Sequence, residues 1–258
     1  MKIVVLVKEV PDTYGDRVLD LETGIADRAA SERVLDEIGE RALEVALTYA
    51  DAHPGTEVAV VAMTPEAAAA TVRKALAMGA GSALQVVDEA LLGADLGLTA
   101  EVLAAAVART GFDLVIAGNQ STDGVGGVIP AMVAEILGVP HATALTSVSI
   151  EDGTVSGTRA ADGATVQVSA SLPAVVSITE ALPDARFPNF KGIMAAKKKP
   201  FETVTLADLG VDADPALAPR GIMTAIAARP ARAAGTTIVD EGDAGTRLAE
   251  YLIQNRLV

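Results

Sequence analysis

The chain has no cysteine and no tryptophan, only two histidines, and aromatics at 3% of its 258 residues. The absence of cysteine excludes disulfides, thiolate metal sites, cysteine nucleophiles and cysteine-ligated iron–sulfur clusters. His53 and His141 alone do not make a histidine metal site. Redox chemistry, if there is any, must come from a bound cofactor. With so few aromatics, the core has to be built from Val, Ile, Leu and Ala, which suits buried parallel strands under Ala-rich helices. Positive charge is also scarce: 20 Lys and Arg stand against 34 Asp and Glu, a net charge of −14. Broad nucleic-acid binding needs the opposite sign, because neutralising phosphates supplies most of that affinity. There is no apolar run of about 20 residues to span a bilayer. The opening MKIVVLVKEVPD is too short, and too soon followed by charge, to read as a signal peptide. No membrane insertion is expected, and a cytoplasmic location is.

What is present is an alternation. Ile3–Val7 is a continuous, mostly β-branched run, as in a strand buried on both faces. The segment 11–29 is polar and reads as an irregular excursion. Residues 36–52 carry apolar side chains at helical spacing, ended by Pro54-Gly55. Strands are expected over 57–63, 83–87 and 113–117, and helices over about 65–78, 98–110 and 128–137. Thr64 reads as a helix N-cap before Pro65, and Gly79 as a C-cap. This pattern predicts an α/β fold with a doubly wound, mostly parallel sheet, Rossmann-like in its nucleotide-binding geometry. After Pro140, short runs separated by Asp-Gly turns predict an antiparallel hairpin. The domain is drawn over 1–199, and 200–258 reads as a C-terminal arm with a helix near 244–254.

Three places carry chemistry. GNQSTDGVGG, residues 118–127, leaves a parallel strand and opens a helix, which is where open α/β sheets bind ligands. It reads as a phosphate cradle of main-chain N–H groups, or as a turn that needs glycine for geometry alone. Asp123 is expected to order that loop or bond a ribose hydroxyl, since a carboxylate repels phosphate. The strand ends Leu6-Val7-Lys8 and Ala62-Met63-Thr64 fall on the same edge, as adenine-reading backbone or as plain structure. RFPNFKGIMAAKKKP, residues 186–200, holds two of the four phenylalanines beside a lysine run. It reads as a partner-docking surface or as a solvated basic turn.

RFPNFKGIMAAKKKP also resembles the signature segment of electron transfer flavoprotein beta subunits. VKEVPD, KALAMGA (74–80), DLVIAGNQSTDG (113–124), LPAVVSITE (172–180) and DLGVD (208–212) resemble blocks of the same family in the same order, so the resemblance covers the chain. It implies a heterodimer with an alpha subunit that carries the redox-active FAD. It implies electrons taken from flavin dehydrogenases, such as acyl-CoA dehydrogenases of fatty acid β-oxidation, and passed to a quinone oxidoreductase or another acceptor. This subunit would hold a structural AMP or, in a bifurcating branch, a second and redox-active FAD. A stand-alone adenine-nucleotide-binding regulator is the remaining alternative.

By that resemblance the nucleotide is contacted by Leu6 and Lys8, by Asp36 and Gly39 at the first helix start, and by Met63. Gly118, Gln120, Asp123, Gly124, Gly126, Gly127, Val128 and Ile129 complete the pocket. Asp36 stands where the family commonly has Asn, and the last three loop residues are apolar or glycine where polar side chains are common. Thr13 and Tyr14 fall where beta subunits approach the alpha subunit's flavin. Phe190 takes the place of the hydrophobic anchor of the recognition loop, with Ile193, Met194, Lys197, Lys198 and Lys199 beside it. No catalytic residue and no metal ligand are expected on this chain.

Overall fold

In the computed structural model, strand β1 (Lys2–Leu6) is followed by two short strands, β2 (Glu9–Pro11) and β3 (Arg33–Leu35), and by helix α1 (Glu37–Ala52). Strand β4 (Glu57–Met63), helix α2 (Ala69–Met78), strand β5 (Ser82–Val86) and helix α3 (Leu96–Thr110) continue the alternation. Strand β6 (Leu114–Gly118) and helix α4 (Ile129–Leu137) close it. Then come β7 (His141–Leu145), β8 (Ser149–Glu151), β9 (Thr154–Ala161), β10 (Ala164–Ser171) and β11 (Ala174–Ile178). Helix α5 (Phe190–Ala196), strand β12 (Phe201–Val204) and helices α6 (Leu206–Leu209) and α7 (Ala244–Gln254) end the chain. The structure describes residues 1–213, 221, 223–232 and 234–258.

The main sheet has ten strands, ordered β10-β9-β7-β11-β6-β1-β4-β5-β12, with β8 beside β9. Strands from β7 to β12 in that order run parallel; β8, β9 and β10 run antiparallel. Successive side chains of a strand point to opposite faces, and β1 feeds two cores. Ile3 and Val5 pack with Leu43, Ala46, Val72 and Leu76 of α1 and α2. Val4 and Leu6 pack with Val102, Leu103, Val133 and Ala134 of α3 and α4. Both faces are covered, which is why β1 reads as an unbroken apolar run. The chain steps outward from β1 through β4 and β5, then returns to place β6 on the other side. The carboxyl ends of β1 and β6 therefore flank a topological switch point, where such sheets hold ligands.

The antiparallel addition is the expected hairpin: β9 and β10 pair from Ala161–Ala164 outward, around Gly163 at φ 70°. Some details differ from expectation. Thr64 does not cap a helix. Its hydroxyl accepts from the buried Gln85 amide at 2.9 Å, and residues 66–68 form a single 3₁₀ turn before α2. The excursion after Pro11 is bracketed by β2 and β3, which pair with each other. The sheet also continues past residue 199, because β12 pairs with β5. The chain divides into Met1–Thr224 and Ala225–Val258. In the second unit, the described residues before α7 form no helix or strand, and α7 exposes Leu248, Tyr251 and Ile253. No helix among the described residues is long and apolar enough to cross a membrane.

Candidate functional site

At the switch point, β6 ends at Gly118, where a Cβ would lie 2.9 Å from the Ile38 side chain. Glycine here lets the first turn of α1 sit against the strand end. Asp36, 3% exposed, caps that turn by accepting from the Ile38 N–H at 3.0 Å. Its second oxygen accepts from the Thr122 N–H at 2.7 Å and the Thr122 hydroxyl at 3.1 Å. One buried carboxylate thus ties α1 to the loop. An Asn amide in place of that second oxygen would put donor against donor, which accounts for Asp where the resemblance leads one to expect Asn.

The loop turns on itself through the Val125 N–H donating to Ser121 O at 3.0 Å, with Val125 left-handed at φ 51°. Gly127 is left-handed too, at φ 69°, and nothing lies within 4 Å of where its Cβ would be. Val128 starts α4 without a side-chain cap, and Pro130 has no N–H. Among the described residues, the N–H groups of Gly126, Gly127, Val128 and Ile129 have no acceptor. Free donors at an uncapped helix start, beside open space, are the main-chain requirement of a phosphate site.

Lys8 and Arg28 supply positive charge on the same edge. Lys8 Nζ reaches Asp123 at 2.7 Å and Arg28 reaches it at 3.2 Å. Arg28 also donates to Glu9 O at 3.1 Å. Asp123 accepts from the Gly124 N–H at 2.6 Å. Burial pushes the Asp123 carboxyl up, but the Lys8 hydrogen bond and charge, with Ser121 and Gly124, outweigh it and bring it to about 2. Two cations face the Asp123 carboxylate, while the Asp36 carboxylate accepts from main-chain and hydroxyl donors. Lys8 and Arg28 are the cations on this edge that an anion at the loop would share with Asp123.

Hydrogen bonds thus join Lys8, Asp36, Asp123 and Gly124 into one cluster with Thr122, and Gly118 packs against α1 beside it. Leu6 and Met63 stand at the ends of neighbouring strands, and Gly39 packs in α1 with its would-be Cβ 3.9 Å from Leu6 O. Gln120 is exposed on the loop. Thr13 and Tyr14 stand in solvent in the segment between β2 and β3, with Tyr14 99% exposed. Thr122 falls within the 118–129 stretch expected to complete the pocket, whereas Arg28 lies outside every expected site residue. Arg28 gave no signal, being one arginine in a polar stretch.

The second region is helical where the sequence reads as a loop. Asn189 caps α5 by accepting from the Gly192 N–H at 2.8 Å. Phe187 (92%) and Phe190 (79%) are exposed, with Ile193 and Met194 about half exposed. Lys191, Lys197 and Lys198 surround them in solvent. Lys199 does not join them: its ammonium turns inward and donates to Leu76 O at 2.8 Å and Ala80 O at 2.6 Å. The reason is the end of α2, whose last carbonyls have no helical partners and attract a cation. Helix α2 runs back against its parallel strands, so α5, packed at its end, sits at the sheet edge opposite the loop.

An electron transfer flavoprotein domain matches residues 23–209. The chain is 44% identical over 263 residues to the electron transfer flavoprotein subunit beta of Mycobacterium tuberculosis, covering 99% of each chain. It is 45% identical, at the same coverage, to that of Mycobacterium leprae. It is 34% identical over 212 residues to the caffeyl-CoA reductase–Etf complex subunit CarD of Acetobacterium woodii, covering 82% of this chain and 80% of that one. With the ordered motifs, the parallel sheet and this full-length similarity, the chain belongs to the electron transfer flavoprotein family, among its beta subunits.

Proposed function

We propose that this beta subunit holds AMP on the Gly118–Ile129 loop and docks a flavin dehydrogenase through α5, in a heterodimer whose alpha subunit carries the redox FAD. The observation that carries the reading is the pairing of two unlike surfaces at opposite sheet edges. One is a main-chain anion cradle with Lys8 and Arg28. The other is an exposed apolar helix ringed by lysines. The cradle fits a nucleotide phosphate by its donors, its charge and the open space at Gly127.

The strand ends Leu6 and Met63 offer backbone groups to the base. Asp123 and Asp36 order the loop and stay clear of the phosphate. The alpha subunit's FAD supplies the electron chemistry; this chain supplies a rigid base, a partner surface and the arm ending in α7, which packs on the alpha subunit. Thr13 and Tyr14 face the alpha subunit's flavin. Electrons leave the complex for a quinone oxidoreductase or a comparable acceptor. The similarity to a subunit of a reductase–Etf complex favours one second reading, in which FAD occupies the same cradle and this subunit carries electrons itself.

The docking half is tested by Phe190→Ala in the intact heterodimer. Burying that side chain at a partner contributes roughly 1.5–3 kcal/mol. The rate of reduction by a reduced acyl-CoA dehydrogenase should therefore fall by about tenfold or more, with the heterodimer intact. Unchanged transfer kinetics would remove Phe190 from the docking surface.

A further inference from the structure

We propose that Lys199 is a positioning residue for docking and not a docking charge: by holding the end of α2 it keeps α5 in its partner-binding placement before the partner arrives. The inference rests on the docking reading above.

Four apolar side chains on one short segment are not stable pointing into water unless something prevents the segment from folding back. The segment is fixed at both ends. At its start, Arg186 makes a two-pronged pair with Glu44 of α1, at 2.8 and 2.9 Å, and reaches Asp51 at 2.9 Å. At its end, Lys199 gives two hydrogen bonds to Leu76 O and Ala80 O at the close of α2. Between them, α5 lies so near α2 that a Cβ on Gly192 would fall 2.3 Å from Ala77 O. Arg73 of α2 adds a long bond of 3.4 Å to Ala196 O and stacks its guanidinium 4.3 Å above the Phe201 ring. Burial pushes the Lys199 ammonium down from its ordinary value, as expected of a cation facing carbonyls instead of water.

The three consecutive lysines therefore divide. Lys197 and Lys198 stand in solvent, where charge acts through screened, long-range attraction. Lys199 acts through the fraction of molecules whose docking helix is already in place. A fall in that fraction weakens apparent affinity in proportion and leaves the charge unchanged at the surface.

Three variants of the intact heterodimer separate these roles: Lys199→Met, Lys199→Arg, and Lys197→Gln with Lys198→Gln. Two quantities are measured. One is amide hydrogen exchange over residues 187–198. The other is KM for the heterodimer, across a salt series, with a reduced acyl-CoA dehydrogenase as donor. Lys199→Met should speed exchange in that segment and raise KM, each by about tenfold, with kcat within about twofold and the salt dependence unchanged. Lys199→Arg, which keeps donors for the same carbonyls, should restore both. The double variant should leave exchange alone and flatten the salt dependence. Wild-type exchange in Lys199→Met, or a salt dependence flattened as in the double variant, would make Lys199 a third docking charge. Exchange accelerated across the whole sheet would make it a core residue, and either result overturns the proposal. If Phe190→Ala leaves transfer unchanged, the docking reading fails while the exchange measurement still decides what Lys199 holds.

Discussion

Asp123 lies on an edge proposed to bind phosphate, where a bare carboxylate would repel the ligand. Its charge is instead shared between Lys8 and Arg28, and its oxygens also fix the Gly124 N–H. Because burial raises the carboxyl and the Lys8 pairing lowers it further, its value of about 2 lies below the ordinary ~3.9. A depressed carboxyl stabilises the fold above its unfolded value, and that contribution is lost as pH falls through the folded one. At neutral pH, with the pairing screened by solvent at the partly exposed Lys8, it amounts to roughly 1 kcal/mol. Asp123→Asn should lower unfolding stability by roughly that amount at pH 7, and the gap should close as pH falls from about 4 toward about 2. Denaturant midpoints across that range check it; a gap that persists at low pH would assign the loss to packing. The sequence left Asp123 two roles, ordering the loop or bonding a ribose hydroxyl, and the Gly124 contact shows the first of these in the loop's own structure. Its partner Arg28 was not readable from the sequence, because the contact spans 95 positions and starts in a stretch with no periodicity.

Elements were legible where burial leaves one solution. The strand at 57–63 came out at the expected bounds, because a run of valines and alanines covered on both faces has no amphipathic alternative. Helix α5 was hidden for the opposite reason. Seven residues including Gly192 form a poor helix alone; α5 is held by its close seat on α2 and by the Arg186 and Lys199 bonds at either end of its segment. Adding a methyl at Gly192 requires the seat on α2 to open. Gly192→Ala should cost roughly 1–3 kcal/mol, as overpacking does, and should weaken docking together with stability. A variant of unchanged stability and docking would show that α5 does not need its close seat. At the other edge, the cap of α1 also serves the loop. Asp36→Ala should cost about 1–2 kcal/mol through the lost cap and loosen nucleotide binding besides, measured by retention of nucleotide through gel filtration. Loss of stability with full retention would separate the cap from the site.

At the scale of the molecule, the chain divides at Thr224, and β12, past residue 199, takes its hydrogen bonds from β5; the sequence of so short an edge strand does not announce a partner. The arm beyond it exposes the apolar side chains of α7 and has little internal packing to explain them. A chain ending at Thr224 should keep the unfolding midpoint of the full chain but fail to co-purify with the alpha subunit; normal co-purification would free the arm from that role. What the cradle holds decides whether this chain carries electrons itself. The complex purified with its alpha subunit, extracted with acid and resolved by chromatography, should give one FAD and one AMP per heterodimer. Two FAD and no AMP would contradict the AMP reading, placing a redox cofactor on this chain's own loop.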